Sequence, residues 1–244
     1  MTIEHVQVID KSLESLTQAA ANKLNDVLKE VSSNEVPVLL LLSGGSSLSL
    51  LEDIDYVNLG SQVTVTVLDE RYSTDPLESN MAQIASTKFY MKAREAGCKF
   101  IDTRVQNNET QEQLAARFNN ELIAWIRQNP RGKIIATVGI GEDGHISGIM
   151  PYLEDPTLFS RMFDNKNDEV VTSYDASGKN PYPRRVTTNM NLIRKIDIAI
   201  VFAVGENKKE ALGKLRNNEG SINETPARIL RDINGSVFLF TDQR

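Results

Sequence analysis

Cysteine occurs once in this 244-residue chain, at Cys98, and histidine twice, at His5 and His145. A single thiol cannot close an internal disulfide, which fits a reducing compartment. So few soft ligands nearly exclude a zinc-type His/Cys centre, although a carboxylate Mg²⁺ site stays open. Basic residues are also in short supply: 27 Lys and Arg stand against 33 Asp and Glu, for a formal net charge of −6. No long basic block is present, so nucleic acid is not expected as the main partner. Long apolar runs are missing too. The longest, Val36 to Leu42, contains Pro37 and is far too short to span a bilayer, so no membrane association is expected. Acidic and polar residues precede the first apolar run, and no signal peptide is expected. There is no internal repeat and no low-complexity tract. Together these absences predict a cytoplasmic globular protein.

What is present suits one large α/β domain or two small ones: 40% hydrophobic and 25% charged residues over a length that can bury a substantial core. Residues 11–31 read as an amphipathic helix, with Leu13, Leu16, Ala20, Leu24 and Leu28 at three- and four-residue spacing and Ser12 as the N-cap. Val38–Leu42 is a continuous apolar run, as expected of a strand covered on both faces; Val63–Leu68, Ile134–Val138, Asp197–Val204 and Ser236–Phe240 also read as strands, with further ones at Phe100–Ile101 and Glu169–Tyr174. Helices are expected from Leu48, from Ser79-Asn80 to about Ala93, over Glu109–Gln128, and after Lys209 to about Arg216; Pro226 marks another short one. Pro151 to Lys166 reads as irregular or partly helical, a possible lid. Alternating helices and apolar strands predict a mostly parallel sheet with helices on both faces.

Four of those strands run into polar loops, and in a parallel sheet such ends share one edge, where open α/β folds hold ligands. The first loop is Ser43-Gly44-Gly45-Ser46-Ser47. Two glycines among hydroxyls, followed by a helix, offer backbone N–H groups to a phosphate. It is not a Walker A loop, because the Gly-Lys-Ser/Thr ending is missing. The second is Asp69-Glu70-Arg71, whose charges must reach solvent or one another. The third, Gly139-Ile140-Gly141-Glu142-Asp143-Gly144-His145, delivers a carboxylate and an imidazole two residues apart on a turn only glycines permit. The fourth, Gly205–Lys208, brings an ammonium. Arg184-Arg185-Val186-Thr187 adds two guanidinium groups suited to bidentate phosphate recognition. Hydroxyls, Arg71, Asp143, His145 and Lys208 would then converge on one anionic small molecule. Each segment also has a plain structural reading as a tight turn or a solvated charge cluster; only their coincidence at one edge argues for a site.

In combination these segments resemble the 6-phosphogluconolactonase family, whose relatives include the glucosamine-6-phosphate deaminases. Ser43-Gly44-Gly45-Ser46 resembles the family's S-G-G-S-T-P loop, and Asp69-Glu70-Arg71 with Ser79-Asn80 resembles D-E-R…S-N. Gly139 to Pro151 resembles G-x-G-x-D-G-H-T-A-S-L-F-P, Arg185-Val186-Thr187 resembles R-[IV]-T, and Gly205 with Lys208 resembles V-x-G-x-x-K. The matches run in family order across about residues 38–240. Leu48 stands where the family usually has Pro, Gly148 where it has Ser, and Ile146 where it has Thr. Ile146 is what the deaminases carry, but their motif Glu falls on Met150, which cannot transfer a proton.

The resemblance implies a single domain over residues 1–244, with a Rossmann-like, mostly parallel sheet flanked by helices. It implies metal-independent hydrolysis of 6-phospho-D-glucono-1,5-lactone to 6-phosphogluconate in the oxidative pentose phosphate pathway, with no cofactor. The substrate would be a phosphorylated sugar lactone and the protein a monomer or small homo-oligomer. His145 would be the general base, Asp143 its orienting partner and Arg71 the group facing the carbonyl oxygen. Ser43, Gly44, Gly45, Ser46, Asp69, Gly141, Arg185, Thr187 and Lys208 would hold the phosphosugar. Two other readings remain: an aminosugar-phosphate deaminase or isomerase, and a non-catalytic sugar-phosphate sensor, the latter suggested by Leu48 and Gly148.

Overall fold

The computed structural model describes residues 6–10, 13–165 and 167–243, with side chains from Leu16 onward. The first helix, α1 (Leu13–Ser33), buries the predicted stripe: Leu16, Ala20, Leu24 and Leu28 are fully covered. The N-cap expected at Ser12 lies outside the described residues.

Seven parallel strands form the main sheet: β1 (Val6–Asp10), β2 (Val38–Leu42), β3 (Val63–Val67), β5 (Lys99–Phe100), β6 (Lys133–Gly139), β9 (Ile198–Phe202) and β10 (Ser236–Thr241). Their spatial order is β1-β10-β9-β6-β2-β3-β5. β2 lies inside the sheet, between β6 and β3, and all five of its residues are buried. That explains its unbroken Val-Leu-Leu-Leu-Leu run: a strand covered on both faces has no polar side to alternate with. Fully burying each such side chain contributes about 1.5–3 kcal/mol, so this element anchors the loop that follows it. The parallel sheet with helices matches the expected fold class.

A second sheet was not expected. It has three antiparallel strands in the order β4-β8-β7: β4 (Asp69–Arg71), β7 (Val171–Asp175) and β8 (Arg184–Thr188). The three charges of Asp69-Glu70-Arg71, read from sequence as a polar strand end, are themselves a strand. The junction is Leu68: its N–H donates to Leu42 of the main sheet, and its carbonyl accepts from Thr188 of the small one. Asp69 and Glu70 do not reach solvent, being 5% and 1% exposed.

Helices depart from expectation in two places. The segment after the first glycine loop is a 3-10 helix, Gly45–Asp53, which begins three residues before Leu48. The helix expected from Asn80 to Ala93 is split into α2 (Asn80–Ala85) and α3 (Lys88–Glu95), because Thr87 caps a fresh start by accepting from the Tyr90 N–H. The long helix α4 (Gln111–Gln128) opens on a complete capping box between Thr110 and Gln113. The segment suggested as a lid contains α5 (Pro156–Phe163), whose Phe159 and Phe163 are buried against Tyr152 and Tyr174. Those rings pin it to the core.

Glu70 joins the two layers. Its carboxylate accepts from the backbone N–H groups of Arg71 (2.8 Å), Asn80 (2.6 Å) and Met81 (3.0 Å), and from the hydroxyls of Ser79 (3.2 Å) and Thr103 (2.8 Å). The carboxylate thus satisfies the first free N–H groups of α2, an arrangement also favoured by the helix dipole. Burial still wins over these donors and pushes the carboxyl up to about 7 from 4.5. A carboxyl raised on folding binds its proton more tightly in the native state. Its contribution to stability is therefore greatest near or below pH 4.5 and is lost as pH rises to about 7. Urea unfolding at pH 5 and pH 8 tests this: wild-type stability minus that of Glu70→Gln should fall by roughly 2 kcal/mol at the higher pH. An unchanged difference would mean that the five donors keep the group ionised throughout.

Candidate active site

The C-terminal ends of β2, β3, β6 and β9 open on one edge of the main sheet, and there the predicted loops meet. They line a cleft of ≈ 630 Å³. Ser43, Gly44, Gly45 and Ser46 form one wall; Gly139, Gly141, Asp143 and His145 another; Asp69, Arg71 and Arg185 come from the small sheet; Lys208 comes from the turn after β9. Of the twelve residues singled out from sequence, eleven line this cleft. The exception is Thr187, which is fully buried. Its hydroxyl donates to the Ser147 carbonyl and to the Thr188 carbonyl (3.1 Å), so it braces the cleft wall from behind.

His145 is held by its own loop. Its Nδ1 lies 2.6 Å from Asp143 Oδ1, and the same oxygen accepts the His145 backbone N–H at 3.0 Å. Burial pushes the Asp143 carboxyl up, but the bonds from His145 outweigh it and hold the group below the ordinary carboxylate range. An ionised carboxylate can only accept, so in the neutral imidazole Nδ1 carries the hydrogen and Nε2 the lone pair. Gly141 makes this seat possible: a Cβ there would overlap the imidazole ring. Gly144, at φ +86, turns the loop back so that its carbonyl can accept the Ala227 N–H.

The first glycine loop is shaped by its neighbour across the cleft. A Cβ on Gly44 would fall 2.5 Å from Asn80 Oδ1. The Asn80 amide in turn donates to the Asp69 carbonyl at 2.9 Å, and its N–H is one of the bonds to Glu70. Gly45 sits at φ +67, and Gly44 caps the 3-10 helix with no side chain of its own. Leu48 lies inside that short helix, so the backbone N–H groups this loop presents belong to a 3-10 turn and not to an α-helix terminus.

The cleft is strongly cationic at one end. Arg71 and Arg185 are direct partners across the β4-β8 pair and both line the cleft. Like charges in that relation are destabilising. Arg185 is 4% exposed; its Nη2 meets Asp69 at 3.2 Å, while Nε and Nη1 have no hydrogen-bond partner among the described residues. Arg71 Nε is likewise unpartnered, and neither Arg71 nor Lys208 forms an ion pair among the described residues. Buried guanidinium N–H groups without acceptors are costly unless an anion supplies them. Of the two adjacent arginines only Arg185 lines the cleft; Arg184 is exposed and lies 4.1 Å from the Tyr72 ring.

Sequence reasoning did not single out Ser147, Gly148, Glu142, Asn180 or Pro181, which also line the cleft. Gly148 carried a signal, since it departs from the family pattern. It lies at φ +67, and a Cβ on it would fall 2.7 Å from Asp69 Oδ2, so glycine there leaves Asp69 room beside Arg185. Asn180 and Pro181 come from the β7-β8 connection, which carries no local motif.

Comparison with known proteins bears on this arrangement. The family model described as glucosamine-6-phosphate isomerases/6-phosphogluconolactonase matches residues 11–239. A curated Dictyostelium discoideum protein named "Probable 6-phosphogluconolactonase" is 22% identical over 249 residues, covering 98% of this chain and 99% of its own. The structure of a 6-phosphogluconolactonase from Shewanella baltica superposes with a TM-score of 0.74 at 19% identity, over 97% of this chain and 96% of the other. That of a 6-phosphogluconolactonase from Trypanosoma brucei does so with the same TM-score and identity, over 97% and 95%. At those identities the superpositions speak to fold.

The seat over Gly141 can be tested directly. The only histidines are His5 and His145, so imidazole NMR signals are simple to assign with a His145→Asn control. Gly141→Ala should move the His145 resonances while far-ultraviolet circular dichroism stays unchanged; resonances left in place would show that the ring does not occupy that seat.

Proposed function

The chain belongs to the glucosamine-6-phosphate isomerase/6-phosphogluconolactonase family, and from that premise we propose that it hydrolyses 6-phospho-D-glucono-1,5-lactone to 6-phosphogluconate, a step of the oxidative pentose phosphate pathway. The observation that carries this reading is the Asp143–His145 pair at 2.6 Å in the same cleft as the serine-glycine loop and three cations. A base beside a phosphate cradle is what a phosphosugar ester requires.

In this reading the phosphate rests against Gly44, Gly45 and Ser46, with Arg185 and Lys208 neutralising it. The unpartnered Nε and Nη1 of Arg185 support that role. His145 Nε2 takes a proton from water as the water oxygen bonds to the lactone carbonyl carbon. The carbonyl π electrons move onto oxygen, where Arg71 stabilises the charge. The adduct collapses, the bond from that carbon to the ring oxygen breaks, and the imidazolium returns its proton to the ring oxygen. The acid product then ionises. Asp143 keeps the ring in the tautomer that begins this cycle. Imidazole, carboxylate and guanidinium supply the base, its orienter and the counter-charge, so this step calls for no metal.

Met150 argues against deamination. It is fully buried, and its sulfur receives only a weak contact from the Asn180 amide at 3.9 Å. It offers no acid at the place where the deaminases carry Glu.

Lactone hydrolysis corrected for spontaneous opening tests the reading. His145→Ala should lower kcat by about 10²–10⁴-fold while calorimetric binding of 6-phosphogluconate persists. Wild-type protein that binds 6-phosphogluconate but leaves the lactone at its uncatalysed rate would identify a sensor instead.

A further inference from the structure

Arg71 is held in an unusual way for a buried-edge guanidinium. No carboxylate pairs with it among the described residues; its hydrogen-bond partner is the Glu78 carbonyl, at a long 3.5 Å. What it packs on is Tyr182, whose ring centroid lies 4.1 Å from the guanidinium carbon. A cation stacked on an aromatic face is attracted to the ring quadrupole, by about 0.5–2 kcal/mol depending on desolvation. Unlike a carboxylate, the ring does not neutralise the charge or occupy the in-plane N–H donors.

Tyr182 is built to be stiff. Pro181 and Pro183 flank it, which restricts both their own φ angles and the conformations of the residues before them. Its N–H is tied to Asn180 Oδ1 at 3.0 Å. The connection it belongs to is fastened at its middle by Lys179, which meets Glu154 at 2.5 Å and lies 4.2 Å from the Tyr152 ring. Tyr182 itself sits two residues before β8, the strand whose Arg185 lies opposite Arg71. The ring therefore lies where it can hold Arg71 near Arg185 without cancelling either charge.

We propose that Tyr182 is a positioning residue: its ring fixes the Arg71 guanidinium at the cleft as an unneutralised cation with its donors directed at the substrate's reacting end. This rests on the reading of Arg71 given above, and it extends the functional set to a residue outside every glycine-rich loop. The hydroxyl plays no part in it, so phenylalanine should serve as well as tyrosine, whereas leucine fills similar space without a π-face.

Two measurements test it. Tyr182→Leu should lower kcat for the lactone about tenfold or more with KM changed less than threefold, and Tyr182→Phe should restore kcat to within about threefold of wild type. In an Arg71→Ala background, Tyr182→Leu should have less than a twofold effect, as expected of residues acting through one group. Independently of turnover, phenylglyoxal labelling located by peptide mass spectrometry should modify Arg71 several-fold faster in Tyr182→Leu than in wild type or Tyr182→Phe. Equal labelling rates, equal losses in both backgrounds, or a Phe variant as poor as Leu would each overturn the inference. Wild-type protein inert toward the lactone yet showing the labelling pattern would discard the proposed reaction and keep the stack.

Discussion

A buried carboxylate with only neutral donors around it holds the cleft in shape. Glu70 has no cation within ion-pair distance among the described residues; it is satisfied by three backbone N–H groups and two hydroxyls. Those donors belong to three separate pieces of chain: the end of β4, the start of α2, and the turn carrying Thr103. Removing an acceptor of this kind leaves several buried donors unsatisfied at once, and such losses dominate over the modest net value of any one bond. Strand geometry then does the rest. Successive side chains on a strand face opposite ways, so with Glu70 turned inward, Asp69 and Arg71 are both turned to the cleft. The interior group sets the direction of its two functional neighbours.

The same strand explains which parts of the architecture could be read in advance. Loops at 43–47 and 139–145 follow apolar, doubly buried strands, and the change from β-branched or leucine runs to glycine is a local signal. β4 and β8 give no such signal. Asp69-Glu70-Arg71 has no apolar member, and Arg184-Arg185-Val186-Thr187-Thr188 has one, Val186. Their strand character comes from pairing with each other, from the Leu68 junction and from Glu70, all of them tertiary. Charged residues can be buried here only because each finds a specific partner, and partners distant in sequence are invisible to a pattern of hydrophobicity. The break between α2 and α3 failed for the opposite reason. The cap at Thr87 is local, but helical periodicity runs straight across it.

Thr187 shows the limit of carrying a motif position over as a contact. It sits two residues beyond Arg185, so on a strand it shares that residue's side of the sheet. Its hydroxyl is nevertheless spent on carbonyls of Ser147 and Thr188, behind the loop that carries the imidazole. Ser147 itself bonds the Leu68 carbonyl at 3.2 Å and meets the Thr188 hydroxyl at 2.8 Å. This layer ties the end of the histidine loop to both sheets. A residue can therefore belong to the motif while its side chain supports the cleft from outside its lining. Tyr182 is the converse: it belongs to none of the recognisable motifs, yet it touches one of the cleft's cations.

The electrostatics of the cleft have a direction as well as a magnitude. Asp143, with Glu142 nearby, lines the cleft beside His145, on the loop after β6; Arg71 and Arg185 face each other on the small sheet, and among the described residues only Arg185 of the two has a carboxylate partner, Asp69. Without a ligand this separation is unfavourable, since the two guanidinium groups repel and several of their N–H groups lack acceptors. The fold tolerates it because the strands that carry the arginines are fixed by interactions elsewhere: the pairing of β4 with β8, the Glu70 cluster and the Tyr182 stack. In the proposed reading a dianionic phosphate at Arg185 would give its free N–H groups acceptors and reduce the repulsion between the two guanidinium groups, leaving Arg71 for the carbonyl end. Affinity of this kind is specific to charge before it is specific to shape. In that reading, discrimination among phosphosugars would fall to the neutral part of the rim, where Ser147, Gly148, Asn180 and Pro181 stand.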